Sequence, residues 1–406
     1  MLKVVHIQYS IYSAGRAALR LHNAMLENNI SSSILSLHPD INDTDIIRHA
    51  RMKSVIISWI EGKILSFITR KTNRQFGQYT YSVLGSNVSK LDQVRKADII
   101  YLHWVQGGFL NLSNIKKLAR LGKPVIFFMH DMWSITGGCH HSFDCNKYKT
   151  KCFDCPIFPH NSMVDWPKKE FVKKLKLYSK FNNLYFISPS RWLYNCAKES
   201  FLTKDKPLYH IPNIVNTGIF RPLDKMIARQ RLNIDSKGII IAFGAAMLDS
   251  PYKGWSYMSK ALELLKKSSR KKDISLLIFG ISMPGQVLDN IPFPVSQTGF
   301  LRDSYSIALL YNAADIFVTP SLADNLPTTI LESMCCGTPV VGFEVGGIPE
   351  MIKHKENGYL AKYRDAEDLA AGIDYCLDNN IKGKLLPSFE KSFIIKQHLD
   401  LISSII

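Results

Sequence analysis

Short apolar runs alternate with helical patterns along almost all of this 406-residue chain, and this alternation constrains the fold more than any other feature. Strands that alternate with helices are typical of βαβ units and parallel sheets. The run Ile239-Ile240-Ile241-Ala242-Phe243 is apolar at every position, as expected of a parallel strand buried on both faces. The sequence therefore predicts an α/β protein with two Rossmann-like, doubly wound parallel-sheet domains.

Nine strands and eight helices are predicted from this alternation. The predicted strands are 2–8, 33–37, 98–103, 124–130, 184–188, 238–244, 274–280, 315–319 and 339–343, and a further strand-like stretch at 208–211 precedes the domain boundary. The predicted helices are 15–28, 112–121, 169–180, 191–200, 254–267, 305–314, 328–336 and 366–379.

Charge divides the chain into two halves. Residues 1–210 contain 30 Lys and Arg against 14 Asp and Glu, a net charge of +16, whereas the remainder has a net charge of +1. We expect a first domain at 1–210, a second domain at 211–385 and a terminal helix at 386–406, with the first two meeting different partners. A basic half suits nucleic acid, anionic lipid headgroups or phosphorylated substrates, and charge alone does not choose among them.

Composition excludes several classes of protein. Hydrophobic residues make up 46% of the chain and charged residues 21%, which excludes a disordered, collagen-like or small disulfide-rich protein. No apolar run reaches the ~18 residues of a membrane span, and the first residues lead directly into a strand rather than a signal peptide. We expect a cytoplasmic protein. Segment 51–71 is basic, and its Ile, Trp and Phe residues fall at helical spacing between flanking cations, which predicts a helix. This helix is predicted either to lie on an anionic membrane surface or to pack on its own domain.

The segment around residue 320 carries the strongest functional pattern. A predicted strand ends there, a polar loop follows, and a helix begins near Pro327, with Asp324 on the loop and Glu332 on the helix. In an open α/β sheet, ligands bind at the carboxyl ends of the strands, and a helix N-terminus attracts anions. Two carboxylates there can accept hydrogen bonds from sugar or ribose hydroxyls. The alternative is that Asp324 or Asn325 caps the helix and Glu332 is solvated.

Residues 315–350 resemble the donor-nucleotide region of family 4 glycosyltransferases, which have the GT-B fold with two domains facing a central cleft. Their Glu-x7-Glu signature corresponds here to Asp324-x7-Glu332. The resemblance implies that Glu332 binds the nucleotide ribose, that Asp324 faces the transferred sugar, and that Asn325 and Leu326 belong to the donor site. It also implies retention of anomeric configuration, without a metal cofactor for the chemistry. The resemblance also covers 189–192, 211–213, 220–222 and 299–301, and so extends over nearly the whole chain. It implies that the domain at 1–210 binds the acceptor, that the domain at 211–385 binds the donor, and that the terminal helix crosses back to the first domain.

A phosphate-binding site is expected after the first strand of the second domain, with Gly244 at the strand end and Lys253 before the next helix. Lys253 is similar to the family lysine that neutralises the departing diphosphate, and is predicted to be catalytic together with Asp324. The arginine usual soon after the glycine is replaced by Ala245 and Ala246. Arg302 or another cation is expected to compensate, or the site uses Lys253 and helix N–H groups alone.

The first domain offers candidates for acceptor binding. Gly15 and Arg16 link the first strand to its helix, and His103, Trp104 and His130 follow two further strands. By resemblance, His130 lies near the reacting centre and hydrogen-bonds the acceptor or the transferred sugar, which makes it the third catalytic candidate. The alternative for each histidine is a structural role.

Four of the eight cysteines fall in a loop at 138–156, namely Cys139, Cys145, Cys152 and Cys155. In a reducing compartment such clustering favours a structural zinc ion, with reduced thiols or disulfides as the alternatives. The loop resembles a Cys-rich loop in the family branch that builds bacterial exopolysaccharides.

The predicted function is a retaining hexosyltransferase that uses a UDP- or GDP-linked sugar and a lipid-linked glycan acceptor of a bacterial exopolysaccharide, capsule or O-antigen. It is expected at the cytoplasmic face of the inner membrane, without a nucleic-acid partner. The alternatives are another GT-B enzyme, such as a sugar-nucleotide epimerase, and a non-catalytic basic nucleic-acid-binding protein with a cysteine metal knuckle.

Overall fold

The computed structural model describes residues 1–12, 15–38, 46–48, 52–73, 77–159, 163–234, 238–245, 250, 252–267, 273–280, 285–301 and 303–406. Contacts divide the chain into two compact units. The first unit comprises Met1–Ile214 with Ser392–Ile406, and the second comprises Val215–Lys391. The division falls close to the expected boundary at 210, and it assigns the last helix to the first unit.

The first unit contains a seven-stranded sheet in the order β3-β2-β1-β4-β5-β6-β7, with every strand pair parallel. Its strands are β1 Lys3–Ser10, β2 Ser31–His38, β3 Ile46–Arg48, β4 Ile99–Leu102, β5 Val125–Phe128, β6 Leu184–Ser188 and β7 Leu208–His210. Its helices are α1 Arg16–Glu27, α2 Met52–Thr69, α3 Asp92–Lys96, α4 Leu112–Ala119, α5 Trp166–Lys180, α6 Arg191–Glu199 and, at the end of the chain, α13 Lys391–Ile405.

The second unit contains a six-stranded parallel sheet in the order β10-β9-β8-β11-β12-β13. Its strands are β8 Ile239–Ala245, β9 Ile274–Gly280, β10 Val295–Gly299, β11 Ile316–Thr319, β12 Val340–Phe343 and β13 Gly358–Ala361. Its helices are α7 Lys225–Arg231, α8 Trp255–Lys267, α9 Gly285–Leu288, α10 Ser304–Ala313, α11 Thr328–Cys335 and α12 Ala366–Asp378.

Each sheet is covered on both faces, which explains the continuous apolar character of its strands. In β8, Ile240 and Ala242 pack into one core, while Ile241 and Phe243 pack into the core on the opposite face. In the first unit, α13 completes one core, where Ile394 and other apolar residues of the helix pack with the sheet. The strand order reverses between β1 and β4 and again between β8 and β11, and crevices at such switch points are where ligands bind in doubly wound sheets.

All nine predicted strands and all eight predicted helices are present, with ends that differ by a few residues. The sequence prediction missed β3, β10 and β13 and the helices α3, α7 and α9. Strand β10 has the sequence Val-Ser-Gln-Thr-Gly and is partly exposed at the sheet edge, so it lacks the apolar run of a central strand. Short elements at edges carry little hydrophobic periodicity, and tertiary pairing decides them.

Candidate functional site

Lys253 and Asp324 form an ion pair at the switch point of the second sheet. Lys253 follows β8 and Asp324 follows β11, and Lys253 Nζ lies 2.9 Å from Asp324 Oδ2. Both side chains are partly buried, with exposed fractions of 27% and 17%. The structure therefore brings together two of the three predicted catalytic residues, which are 71 positions apart in the chain.

Close backbone contacts hold the two loops in this position. Gly254 has φ of +67°, and a Cβ atom there would lie 1.9 Å from the carbonyl oxygen of Pro320. Gly346 has φ of +59°, and its Cβ would lie 1.8 Å from the carbonyl oxygen of Asp324. Only glycine combines this left-handed conformation with so close an approach. The two glycines fix the backbone on both sides of the ion pair.

The ion pair keeps Lys253 charged. Burial by itself lowers the pKa of this ammonium group, but the charge of Asp324 and its hydrogen bond outweigh burial, so the net pKa lies above its ordinary value. A lysine held as a cation at the carboxyl edge of a sheet is suited to neutralise an anionic ligand. To bind such a ligand, Lys253 would have to leave Asp324.

Glu332 is buried in α11 and only 4% exposed, and its Oε2 accepts a hydrogen bond from the Tyr311 hydroxyl at 3.5 Å. The N-cap of α11 is Pro327, which provides no side-chain cap. Glu332 is therefore not solvated, and neither Asp324 nor Asn325 is the N-cap residue of the helix. Asn325 and Leu326 are also buried, so the loop before α11 is a packed part of the unit.

Gly244 lies near the end of β8, where a Cβ atom would meet the Phe279 ring at 2.3 Å. Packing against Phe279 is a sufficient reason for glycine here, so its predicted donor-binding role remains a prediction. Ala246 and Arg302, considered in connection with the missing phosphate-binding arginine, lie outside the described residues.

Three histidines form a hydrogen-bonded chain at the switch point of the first sheet. His130 Nε2 lies 3.0 Å from His103 Nδ1, and His103 Nε2 lies 3.0 Å from His6 Nδ1. His6 and His103 are buried, and burial lowers their pKa values well below the ordinary range. Burial also lowers the pKa of His130 to about 4, against a small opposing effect of Asp131. All three rings are therefore neutral at pH 7.

Neutral rings restrict where the protons can be. Each ring carries one N–H, so the chain donates either from Nδ1 throughout or from Nε2 throughout. His6 Nε2 is buried without a partner. If Nε2 were protonated throughout, a buried N–H would be left unpaired, whereas protonation at Nδ1 leaves only an unpaired lone pair. Because unpaired buried N–H groups are rarer than underused acceptors, we assign the Nδ1–H form. His130 then accepts at Nε2 and carries its proton on Nδ1.

The other predicted acceptor residues lie around the ends of β1 and β4. A Cβ at Gly15 would lie 1.7 Å from the carbonyl oxygen of Ser10, so this glycine permits α1 to start directly against the end of β1. Arg16 is the first residue of α1. Trp104 is held by its backbone, since its N–H donates to Gln8 Oε1 at 2.9 Å and its carbonyl accepts from the N–H of Tyr9.

Sequence reasoning missed several polar residues of this region, including His6 and Gln8 within the first strand. It also missed the pair of Asp131 and His140, whose Oδ2 and Nδ1 atoms are 2.7 Å apart. His140 Nε2 in turn lies 2.8 Å from the Thr80 hydroxyl. Burial by itself raises the pKa of Asp131. The interaction with His140 and the hydrogen bond from the Trp133 N–H together outweigh burial, so the net pKa lies below its ordinary value. The feature of the sequence that could have drawn attention to Asp131 is its position directly after His130.

The four clustered cysteines line one small cavity of about 20 Å³. None of the eight cysteines forms a disulfide bond. Burial raises the pKa values of Cys152 and Cys155 to about 12 and 11. Among the described residues, no group of three or more His, Cys, Asp or Glu side chains has an arrangement that could hold a metal ion. The donor set is that of a zinc site, and the structural zinc ion and the reduced-thiol alternative both remain predictions.

Residues 238–379 match the family model described as Glycosyl transferases group 1. This span contains Gly244, Lys253, Asp324 and Glu332. The second unit is a group 1 glycosyltransferase domain.

Curated relatives share parts of the sequence with this chain. An uncharacterized glycosyltransferase of Haemophilus influenzae is 26% identical over 174 residues, which cover 42% of this chain and 46% of the relative. The D-inositol 3-phosphate glycosyltransferase of Segniliparus rotundus is 29% identical over 159 residues, covering 37% of this chain and 34% of the relative. The chain thus spans less than half the length of these relatives.

Solved structures match over the full chain. Sucrose-phosphate synthase of Thermosynechococcus elongatus aligns with a TM-score of 0.65 at 17% identity, covering 100% of this chain and 99% of that one. HepE of Anabaena, in complex with UDP and glucose, aligns with a TM-score of 0.62 at 16% identity, covering 100% of both chains. WaaG, a glycosyltransferase of lipopolysaccharide biosynthesis, aligns with a TM-score of 0.60 at 12% identity, covering 98% of this chain and 95% of that one. The chain has the GT-B fold.

Proposed function

We propose that this protein is a retaining glycosyltransferase that transfers a hexose from a UDP- or GDP-linked donor to a growing bacterial surface glycan. The observation that carries the proposal is the Lys253–Asp324 ion pair beside the buried Glu332, within a group 1 glycosyltransferase domain. HepE was solved with UDP and glucose, which supports a nucleotide-sugar donor for a chain of the same fold.

In this proposal, each residue of the second unit has a separate task. Glu332 accepts hydrogen bonds from the ribose hydroxyls, and Asp324 accepts from hydroxyls of the transferred sugar. Lys253 exchanges Asp324 for the donor diphosphate and stabilises the negative charge that grows as the sugar–phosphate bond breaks. A preorganised cation that binds the leaving group most tightly in the transition state raises kcat.

The bond changes are those of a front-face substitution. The bond between the anomeric carbon and the diphosphate oxygen breaks, an acceptor hydroxyl forms the new bond on the same face, and its proton passes to the departing diphosphate. This route uses no carboxylate nucleophile, and the family resemblance implies that it needs no divalent metal.

His130 is proposed to act as a neutral hydrogen-bond donor toward the acceptor or the transferred sugar. Its low pKa makes it a poor proton carrier at pH 7, because the protonated form is scarce and the neutral form is a weak base. The chain through His103 to His6 holds its proton on Nδ1. Gly15, Arg16, His103 and Trp104 are proposed to border the same acceptor region.

The acceptor is proposed to be lipid-linked, as part of an exopolysaccharide, capsule or O-antigen made at the cytoplasmic face of the inner membrane. The strongly basic first half supports this location. So does helix α2, whose apolar residues Trp59 and Phe67 are exposed beside cationic side chains. None of the described helices is both long and apolar enough to cross a bilayer.

The direct test is sugar transfer by the full chain, measured as nucleotide release and glycan extension with lipid-linked acceptors. Glu332→Ala should abolish transfer, because ribose binding is lost. Glu356→Ala is the matched control, since Glu356 lies on the same unit with a 60% exposed side chain. Full activity in a folded Glu332→Ala protein would overturn the proposal.

Two outcomes would identify the alternatives. Release of UDP and free sugar without any acceptor would point to another GT-B reaction, such as epimerisation. Salt-dependent binding of RNA or DNA without nucleotide-sugar binding would favour a nucleic-acid-binding protein.

A further inference from the structure

Helix α2 packs on the first unit through the polar residues Ser58 and Glu61, and near its end through Ile64 and Ile68. Glu61 is 1% exposed, and its two carboxylate oxygens accept the backbone N–H groups of Val83 and Leu84 at 2.8 and 2.9 Å. Ser58 donates to the carbonyl of Gly107 at 2.6 Å. Gly108 lies so close that a Cβ there would be 2.6 Å from the Ser58 backbone. These contacts determine which face of the helix is turned outward.

The outward face is apolar, the reverse of an ordinary surface helix. Trp59 is 66% exposed and Phe67 63%, and Val55, Ile56 and Ile60 are exposed as well. Lys63 lies over the Trp59 ring at 5.6 Å, and Arg70 lies over the Phe67 ring at 4.4 Å. Exposed aromatic residues interleaved with cations are typical of a helix that lies at a lipid–water interface.

A basic pocket of about 410 Å³ adjoins the segment that anchors α2. Val83, whose N–H binds Glu61, lines this pocket, and its carbonyl accepts from the Asn111 side chain at 2.8 Å. Four lysines converge on the pocket, namely Lys116 of α4 and Lys173, Lys176 and Lys180 of α5. Its floor includes apolar side chains such as Leu177 and Phe181.

No exposed carboxylate on the helices around the pocket neutralises these lysines, and the buried Glu170 interacts electrostatically with Lys173. Helices α2, α4 and α5 contain only two acidic residues, Glu61 and Glu170, and both are buried. Within the described part of the chain, none of the four lysines forms an ion pair, and Lys173 donates instead to the Tyr81 hydroxyl at 2.7 Å. A concave site with four cations and an apolar floor is complementary to an anionic group that carries a hydrocarbon chain.

We propose that the exposed face of α2 and the four-lysine pocket form one docking surface for an anionic bilayer, with the pocket binding the phosphate of a lipid headgroup. The inference deepens the proposed membrane location and rests on it. The aromatic residues of α2 enter the interface while the pocket selects negatively charged lipid. Polar anchoring through Glu61 keeps the two parts in fixed relation within the unit.

The experiment measures binding of the full chain to vesicles of phosphatidylcholine, with and without phosphatidylglycerol. Binding should require the anionic lipid. Replacing Lys116, Lys173, Lys176 and Lys180 with Gln should weaken it on the order of 100-fold or more, since each lysine near an anionic surface contributes about fivefold. The matched control replaces Lys90, Lys117, Lys198 and Lys204, which belong to the same unit and do not line the pocket. It should weaken binding by less than about tenfold.

A second variant tests the apolar part without altering charge. Trp59→Ser with Phe67→Ser should reduce binding, and brominated lipid should quench a fluorescence component that Trp59→Phe removes. Equal losses of vesicle binding in the pocket variant and the control variant would overturn the proposed role of the pocket. Equal binding of the wild-type protein to neutral and anionic vesicles would overturn it as well. The nucleotide-induced rise in melting temperature serves as the independent reference. If nucleotide raises the melting temperature but the protein does not bind vesicles, the docking surface is wrong and the donor site stands. If the protein binds vesicles but no nucleotide raises the melting temperature, the donor site is wrong and the docking surface stands.

Discussion

The two units share one architecture, a parallel sheet covered on both faces, but they place opposite chemistry at their switch points. In the first unit, His6 within β1 and the histidines that follow β4 and β5 are neutral imidazoles linked by hydrogen bonds. In the second, the loops after β8 and β11 hold a charged pair, Lys253 and Asp324. A neutral hydrogen-bonding surface suits hydroxyl groups, whereas a fixed cation suits a diphosphate. The same fold thus supplies two kinds of recognition through its loops.

The two units should differ most in how their stability changes at acidic pH. His6, His103, His130, His210 and His398 belong to the first unit, and burial lowers the pKa of each, to about 4 for His130 and His210 and about 3 for His398. Their pKa values in the folded state lie below the unfolded value, so the unfolded chain binds protons first as pH falls. Their contribution to stability is complete above about pH 6.5 and is lost toward pH 4.

Each imidazole contributes up to about 1.4 kcal/mol per pH unit in that range. Glu170 opposes this effect. Burial raises its pKa to about 7, so its contribution to the stability of the first unit decreases as pH rises and increases as pH falls. We expect a net loss of at least about 2 kcal/mol in the first unit between pH 6.5 and 5. Hydrogen exchange, pulse-labelled at one pH after incubation at each pH, should show its peptides opening first. Equal protection of both units would contradict the assignment of neutral buried histidines.

The charged pair of the second unit should matter for rate. Lys253→Ala should lower kcat on the order of 10²-fold, as expected when one preorganised group that stabilises a leaving group is lost. Lys260→Ala, an exposed lysine of α8, is the control and should change kcat little. A decrease below about fivefold in Lys253→Ala would show that another group stabilises the diphosphate.

The histidine chain should have a smaller effect, acting through position. His6→Phe leaves His103 Nε2 without its partner and should destabilise the first unit by about 1–3 kcal/mol. It should also release His130 from a single tautomer, which nitrogen chemical shifts of the imidazole would report. His22 is a buried histidine that forms a hydrogen bond with Ser32 and is not one of the three linked histidines. His22→Phe should therefore destabilise the first unit without changing the His130 signals. A wild-type His130 protonated at Nε2 would contradict the assigned direction.

The second unit could be predicted further from sequence than the first, and the reason is local. Asp324 and Glu332 lie on one loop and the helix that follows it, so their spacing is visible in the chain. His6, His103 and His130 come from three separate strands, and each appears in the sequence as a lone histidine. Their chain depends on strand order, which short-range patterns do not reveal.

Helix α2 shows a second limit of sequence reasoning. Its helical character was predicted from residue spacing, but which side faces solvent depends on tertiary contacts. Burial of Glu61 against the N–H groups of Val83 and Leu84 is favourable only because a loop 22 residues away supplies those donors. Periodicity alone therefore left open whether the apolar face lies on a membrane surface or packs on its own domain. Similarly, the cysteine spacing predicts either a structural zinc ion or reduced thiols, and the four thiols line one cavity, but spacing alone does not choose between the two.

The central claim is that Glu332 anchors a nucleotide in the second unit. The most direct measurement is a thermal-shift panel of UDP, GDP, ADP and their common sugar conjugates against the wild-type protein and Glu332→Ala. A ligand at 100 times its Kd adds about 2.7 kcal/mol to the stability of the state that binds it. The account predicts a clear rise in melting temperature with one nucleotide class, lost in Glu332→Ala and retained in Glu356→Ala. An equal rise in Glu332→Ala, or no rise with any nucleotide, would contradict it.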